Sequence, residues 1–178
     1  MNRQRLLIIA AVVIAALLLI QPVVKIVSNA QEQKKLDGLL PEVRAALGEL
    51  RTRLRAKGID TWVGSTLRDD ATQAGYVDAG VSATQKSWHL VGRAVDLYPY
   101  DPLTGRPDLA GHNTEAFRTM HAEASRVGFR GLAFNTDGSK RYINTSKGKV
   151  WDGGHLEYPA GLSYAEAVDD YRTRKVIA

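Results

Sequence analysis

The sequence contains no cysteine among its 178 residues. A chain without cysteine forms no disulfide and offers no thiolate, so a metal site in it must be built from histidine and carboxylate side chains. The missing disulfides do not argue against export, because a domain of this length buries a sufficient core without them. Aromatic and basic residues are not interleaved as on a nucleic-acid-binding surface, so we expect no nucleic-acid partner.

One long apolar run lies near the N-terminus. Residues 6–20 include no polar side chain, Val23 and Val24 extend the run, and Arg3 and Arg5 precede it. At a rise of about 1.5 Å per residue, a helix of about 19 residues spans the roughly 30 Å hydrocarbon core of a bilayer. The run therefore predicts an N-terminal transmembrane helix that anchors the protein in a membrane.

The same segment also fits a cleavable secretory signal, because the small residues Ser28 and Ala30 follow it. In either case the basic start stays in the cytoplasm and the rest is exported. We expect a domain outside the cytoplasm, periplasmic or extracellular, that is membrane-anchored, or secreted if the segment is cleaved. The predicted organisation is an anchor or signal at 1–27, a linker at 28–40 and one domain at 41–178.

Short helices and short strands follow one another beyond residue 40. We predict helices at residues 41–57, 68–79, 114–127 and from 163 onward, the last with a capping box. Strand-like segments occupy residues 59–64, 92–98, 129–134, 141–144, 149–151 and 155–158. This order predicts an α+β domain with a small antiparallel sheet flanked by helices.

Two dense polar motifs, SWHLVGRAVD and WDGGHLEYP, contain two of the four histidines. A catalytic zinc site uses three ligands from histidine, aspartate or glutamate and keeps a fourth position for water. His89, Asp96 and His155 provide such a set. We interpret the remaining histidines, His112 and His121, as structural or surface residues.

Further polar residues suit the chemistry around such a metal. Asp152 lies three residues before His155, close enough to take a proton from a water beside it. Glu157 would share a strand face with His155, so we expect it to orient an imidazole or a substrate group, with general base as its second interpretation. Arg68 could stabilise the oxyanion of a tetrahedral intermediate.

Together the two motifs resemble those of the zinc D-alanyl-D-alanine carboxypeptidase and dipeptidase family, which includes L-alanyl-D-glutamate endopeptidases of phage lysins. The resemblance implies that His89, Asp96 and His155 bind Zn²⁺ and that Asp152 is the general base. It also implies an upstream segment of the form S-x-x-R-x-x-x-x-Q, present here at residues 65–73.

That segment gives Arg68 the role of transition-state stabiliser and makes Gln73 a candidate substrate-binding residue, together with Ser87 of the first motif. Two features depart from the family pattern. Leu156 stands where an aromatic residue usually follows the second histidine, and residues 101–111 form an insertion. These departures leave the substrate subclass open.

The expected function is a zinc metallopeptidase that cleaves peptidoglycan stem peptides next to a D-amino acid, at either a D-Ala-D-Ala or an L-Ala-D-Glu bond. The alternative is a non-catalytic, zinc-containing module that binds cell wall or builds an envelope or virion assembly. Metal-independent hydrolysis by serine or histidine finds no support, because the chain has no nucleophile elbow. The sequence indicates no oligomeric state.

Overall fold

The computed structural model describes residues 30–177. The chain divides into two compact units, residues 1–34 and 35–178. Of the first unit only residues 30–34 are described, and they are helical. The predicted anchor or signal, residues 1–27, lies outside the described residues. Within the described part of the chain, none of the helices combines the length and apolar character that a bilayer crossing requires.

The second unit is an α+β domain with a small antiparallel sheet, as the sequence predicts. Its helices are α1 (Pro41–Arg55), α2 (Asp70–Asp78), α3 (Thr114–Arg126) and α4 (Tyr164–Ile177), with a 3-10 helix at Trp88–Val91. Its strands are β1 (Thr61–Ser65), β2 (Ala94–Pro99), β3 (Arg130–Gly131), β4 (Tyr142–Thr145), β5 (Gly148–Trp151) and β6 (His155–Glu157).

The main sheet has the strand order β1-β2-β6-β3, and β4 and β5 form a separate hairpin. All of the strand pairs are antiparallel. A bulge in β1 at Gly64 shifts the register so that Ser65 lies opposite Asp96. In the next pair, Asp96 lies opposite His155. The sheet therefore brings residues from three separate strands to one position.

The two faces of this sheet have different roles. Val95 and Leu97 of β2 and Leu156 of β6 are fully buried in the core cluster that also contains the apolar faces of α1 and α3. Successive strand residues face opposite sides of a sheet, so Asp96 and His155 project from the other face. Leu156, the departure from the family pattern, therefore lies in the core and does not reach that polar face.

The large apolar residues of α1 and α3 lie at helical spacing and pack in the core (Val43, Leu47, Leu50, Leu54, Phe117 and Met120 are buried). The capping box is also confirmed. The backbone N–H of Ser163 donates to the Glu166 carboxylate at 2.7 Å, and the Glu166 N–H donates to Ser163 Oγ at 3.3 Å.

The strand predicted at residues 129–134 is much shorter than expected, since β3 covers only Arg130–Gly131. Beyond β3 the backbone turns towards the β4–β5 hairpin. The carbonyl of Ala133 accepts from the backbone N–H of Arg141 at 2.8 Å and from the Trp151 indole N–H at 2.8 Å. These contacts replace continued pairing with β6, which runs antiparallel to β3 and begins at His155.

Gly92 ends the 3-10 helix in a left-handed conformation with φ of 64°. A Cβ there would lie 2.9 Å from the carbonyl oxygen of Gly38, and the Gly92 carbonyl accepts from Leu40 N–H at 3.1 Å. Only glycine meets both requirements without strain. The turn directs the chain from His89 into β2, where Asp96 lies.

We predict that Gly92→Ala lowers the free energy of unfolding by about 1–3 kcal/mol, because it combines a left-handed backbone with a close contact. The matched control is Gly48→Ala in α1, where a Cβ would meet nothing within 4 Å. That change should raise stability by roughly 0.5–1 kcal/mol. Urea denaturation of both variants measures the difference, and equal effects of the same sign would contradict this account.

Candidate active site

His89, Asp96 and His155 bring three ligand atoms together on the polar face of the sheet. His89 Nε2 lies 3.2 Å from Asp96 Oδ1 and 3.3 Å from His155 Nδ1, and His155 Nδ1 lies 3.2 Å from Asp96 Oδ1. A tetrahedral ion with bonds of about 2.0 Å separates its ligands by roughly 3.3 Å. This nearly equilateral triangle therefore fits one divalent cation, and two imidazoles with one carboxylate are ligands that zinc accepts.

The second ring nitrogen of each histidine, which is not part of this triangle, also has a hydrogen-bond partner. His89 Nδ1 lies 2.5 Å from the carbonyl oxygen of Thr66, and His155 Nε2 lies 3.3 Å from Glu157 Oε1. Arg130 donates to the other oxygen of Glu157 through Nε at 3.0 Å and Nη2 at 2.5 Å. Such partners fix the orientation and tautomer of a metal-binding histidine.

Arg68 lies directly behind Asp96. Its Nη2 donates to Asp96 Oδ2, its Nε to Ser65 Oγ at 2.9 Å and its Nη1 to Gln73 Oε1 at 3.2 Å. The guanidinium carbon also lies 4.6 Å from the centre of the Tyr76 ring. Since Arg68 occupies one oxygen of Asp96, the other oxygen is left for the triangle of ligand atoms.

Gln73 contacts Arg68 but does not line the cleft, where a substrate-binding residue would lie. It is fully buried, and its amide donates to Ser82 Oγ at 3.0 Å and to the Thr84 carbonyl at 2.7 Å. Gln73 thus connects Arg68 to the loop before the first motif. Ser87 does line the cleft, and its Oγ accepts from His89 N–H at 3.3 Å.

Asp152 lines the same cleft as His155 and is partly buried. The two glycines between them allow a close turn. A Cβ at Gly153 would lie 2.4 Å from Trp151 Cη2, and one at Gly154 would lie 2.6 Å from Tyr98 Cζ. The D-G-G-H spacing is therefore required by packing, which the sequence motif alone does not reveal.

The side chain of His121 also supports this turn, a contact that the sequence pattern does not predict. His121 Nε2 lies 2.8 Å from the carbonyl oxygen of Gly153 and donates a hydrogen bond to it. The ring packs edge-on against Phe134 at 5.5 Å. In contrast, His112 has 82% of its side chain exposed, and its Nδ1 lies 3.3 Å from Asp108 Oδ1.

Burial and charge shift the titration of the site residues in the metal-free protein. Burial raises the pKa of Asp152. Burial opposes protonation of His155, but hydrogen bonds to Asp96 and Glu157 outweigh it and raise its pKa to about 10. Burial also opposes ionisation of Asp96, yet hydrogen bonds from both histidines hold its pKa well below the usual range. A metal ion must therefore displace a proton from His155, so its affinity should rise with pH.

These residues line one open cleft of about 440 Å³. Three aromatic residues line it, Trp62, Tyr76 and Tyr98, and so do apolar side chains that include Leu109 from the insertion at residues 101–111 (Val81, Leu109, Leu132 and Ile143). Trp88 and Trp151, which belong to the motifs, pack against Tyr164 at 5.8 Å and Phe117 at 5.0 Å. The aromatic residues that line the cleft thus lie outside both motifs.

Comparisons with known proteins find one relative in sequence over part of the chain and several similar structures. The chain is 30% identical over 91 residues to the L-alanyl-D-glutamate peptidase of Listeria phage A118, a match that covers 51% of this chain and 32% of that protein's length. The L-Ala D-Glu endopeptidase ChiX of Serratia marcescens has a similar structure, with a TM-score of 0.51 at 20% identity over 77% of this chain and 90% of that one. No family model matches.

The LD-carboxypeptidase LdcB is also similar in structure, with a TM-score of 0.50 at 17% identity over 76% of this chain and 64% of that one. At these identities the two structures show a shared fold. The domain therefore has the fold of a group of cell-wall peptidases. The match to the phage L-alanyl-D-glutamate peptidase agrees with the resemblance that the two motifs carry, and the chain spans about a third of that protein's length.

We predict a graded loss of zinc affinity among site variants. Loss of a residue that orients a ligand, as in Glu157→Ala, should lower zinc affinity roughly 10–100-fold. Replacing a ligand itself, as in His89→Ala or His155→Ala, should lower zinc affinity further. His112→Ala is the matched control, because that ring is exposed and is not among the three ligands. Titration calorimetry with zinc measures the order, and unchanged affinity in the ligand variants would rule out this site.

Proposed function

We propose that this chain is a zinc-dependent peptidase that hydrolyses peptidoglycan stem peptides at bonds next to D-amino acids. The observation that carries the proposal is the triangle of His89 Nε2, Asp96 Oδ1 and His155 Nδ1, with Asp152 and Arg68 beside it in one cleft. The name of the phage relative and the names of the two similar structures support this substrate class.

His89, Asp96 and His155 would hold the zinc ion. When bound, zinc polarises the scissile carbonyl and lowers the pKa of a neighbouring water towards 7. Thr66 and Glu157 keep the two imidazole rings in the orientation that points the ligand nitrogens at the same place. The chain thus supplies a preorganised site and needs little rearrangement to accept the ion.

Asp152 is the general base in this proposal. It borders the cleft beside His155, and its raised pKa brings the carboxylate closer to the range in which a base both accepts and returns a proton. It would take a proton from the attacking water and pass it to the amine that leaves. Glu157 is less suited to this step, because Arg130 and His155 already occupy both of its oxygens.

Arg68 would stabilise the oxyanion of the tetrahedral intermediate. A guanidinium carries five N–H donors, and the contacts with Asp96, Ser65 and Gln73 use one on each nitrogen. One N–H on each terminal nitrogen is left for a substrate, and Arg68 lines the cleft. Fixing the guanidinium in this way orients those donors before substrate binds, which is how oxyanion sites gain most of their effect. Ser87, at the cleft wall, is a substrate-binding residue in this proposal.

We predict that Asp152→Asn lowers kcat/KM on purified peptidoglycan by about 100- to 10,000-fold, the usual contribution of a general base. Zinc content should stay unchanged, because Asp152 is not among the three ligands. Asp169→Asn on the exposed surface of α4 is the matched control. Fragment analysis by mass spectrometry identifies the bond that is cut.

Two outcomes would contradict the proposed function in different ways. Identical fragments from wild type and Asp152→Asn would remove Asp152 from the mechanism. A wild-type chain that binds zinc and cell wall but releases nothing would favour the non-catalytic module instead.

We also propose that residues 1–27 hold the domain on the outer side of a membrane. The apolar run and the two arginines before it support this placement, and peptidoglycan lies on that side. The mass of the mature chain tests whether the segment is retained. An intact N-terminus in a membrane fraction is the expected result, and a chain that begins near Gln31 would instead indicate a secreted protein.

A further inference from the structure

Two basic side chains line the cleft, and they differ in what they contact. Arg68 donates to Asp96, Ser65 and Gln73. Lys86 is exposed, and within residues 30–177 the structure gives its ammonium group neither a hydrogen bond nor an ion pair. Lys86 is therefore a cation at the cleft wall whose charge is available to a ligand.

The wall that carries Lys86 is held in place by its own contacts. The backbone N–H of Lys86 donates to Thr84 Oγ1 at 3.0 Å, and the carbonyl of Thr84 accepts from the buried Gln73 amide at 2.7 Å. The following residue, Ser87, accepts from His89 N–H. The backbone on both sides of Lys86 is thus tied to the residues that build the site, so its side chain starts from a defined position.

The carboxylates that line the cleft would repel an anionic substrate unless a positive charge offsets them. Asp96 and Glu157 have arginine partners, but no hydrogen bond or ion pair of the Asp152 carboxylate is given among the described residues. A substrate carboxylate that enters beside Asp152 meets like charge, which opposes binding. A cation in the same cleft offsets that repulsion and selects for an anionic substrate over a neutral one.

We infer that Lys86 binds a free carboxylate on the substrate residue whose amine leaves. The inference rests on the proposed function, and it applies to both candidate bonds. In D-Ala-D-Ala the leaving residue ends in a free carboxylate. In L-Ala-D-Glu the chain continues through the glutamate side chain, so the α-carboxylate of the leaving residue is free as well. Lys86 is a specificity-determining residue in this account, and it takes no part in the bond-breaking step.

The experiment compares two substrates with the purified full-length chain loaded with zinc. One is a stem peptide with the free carboxylate beside the bond that wild type cuts, and the other carries a carboxamide at that position. The variants are Lys86→Gln and Lys86→Arg. Lys149→Gln is the matched control, because Lys149 is an exposed lysine that does not line the cleft.

We expect Lys86→Gln to lower kcat/KM about tenfold for the carboxylate substrate, mainly through KM, as loss of a charged hydrogen bond does. The carboxamide substrate should be cut by Lys86→Gln and wild type at the same rate. Lys86→Arg should retain most of the preference for the carboxylate, and Lys149→Gln should match wild type on both substrates.

An active wild type combined with a Lys86→Gln variant that loses nothing, or loses equally on both substrates, would overturn this inference and leave the proposed function standing. A wild type that cuts neither substrate would overturn the proposed function, and the inference with it. Zinc content measured in every variant separates a loss of substrate recognition from a loss of the metal.

Discussion

The antiparallel pairing of β2 with β6 is the constraint on which the site depends. It places Asp96 directly opposite His155, and the backbone bond from Leu97 N–H to the Gly154 carbonyl, at 2.9 Å, holds this register. A slip of β2 by one residue would send Asp96 into the core and bring Val95 to the polar face. The buried core on one face therefore specifies the ligand geometry on the other.

Two imidazoles and one carboxylate whose ligand atoms lie within 3.3 Å of one another would be costly to bury without hydrogen-bond partners. Each of the three side chains has such a partner on the side away from the other two: a backbone carbonyl for His89, Arg68 for Asp96 and Glu157 for His155. These contacts neutralise the charge on the aspartate and fix the rings. They also explain why the sheet tolerates such a cluster, since the polar groups are satisfied before any ion binds.

The sequence predicted the element order and the residues of the His89, Asp96 and His155 triangle, because helix periodicity and the two motifs carry that information locally. It did not predict that Gln73 is buried away from the cleft. It could not predict the contacts of the Thr66 carbonyl, since every residue has a carbonyl and only the fold selects one. Arg130 and His121 are likewise far in sequence from the groups they hold, Glu157 and Gly153. The early end of β3 was not predicted, because tertiary contacts of the backbone after Gly131 outweighed its strand propensity.

The central claim is that two imidazoles and one aspartate hold a single divalent ion. Anomalous diffraction at the zinc absorption edge, from crystals of the zinc-loaded chain, tests it most directly. The account predicts one peak at about 2.0–2.2 Å from His89 Nε2, Asp96 Oδ1 and His155 Nδ1. A peak elsewhere on the chain, or an ion bound by a different set of residues, would contradict it.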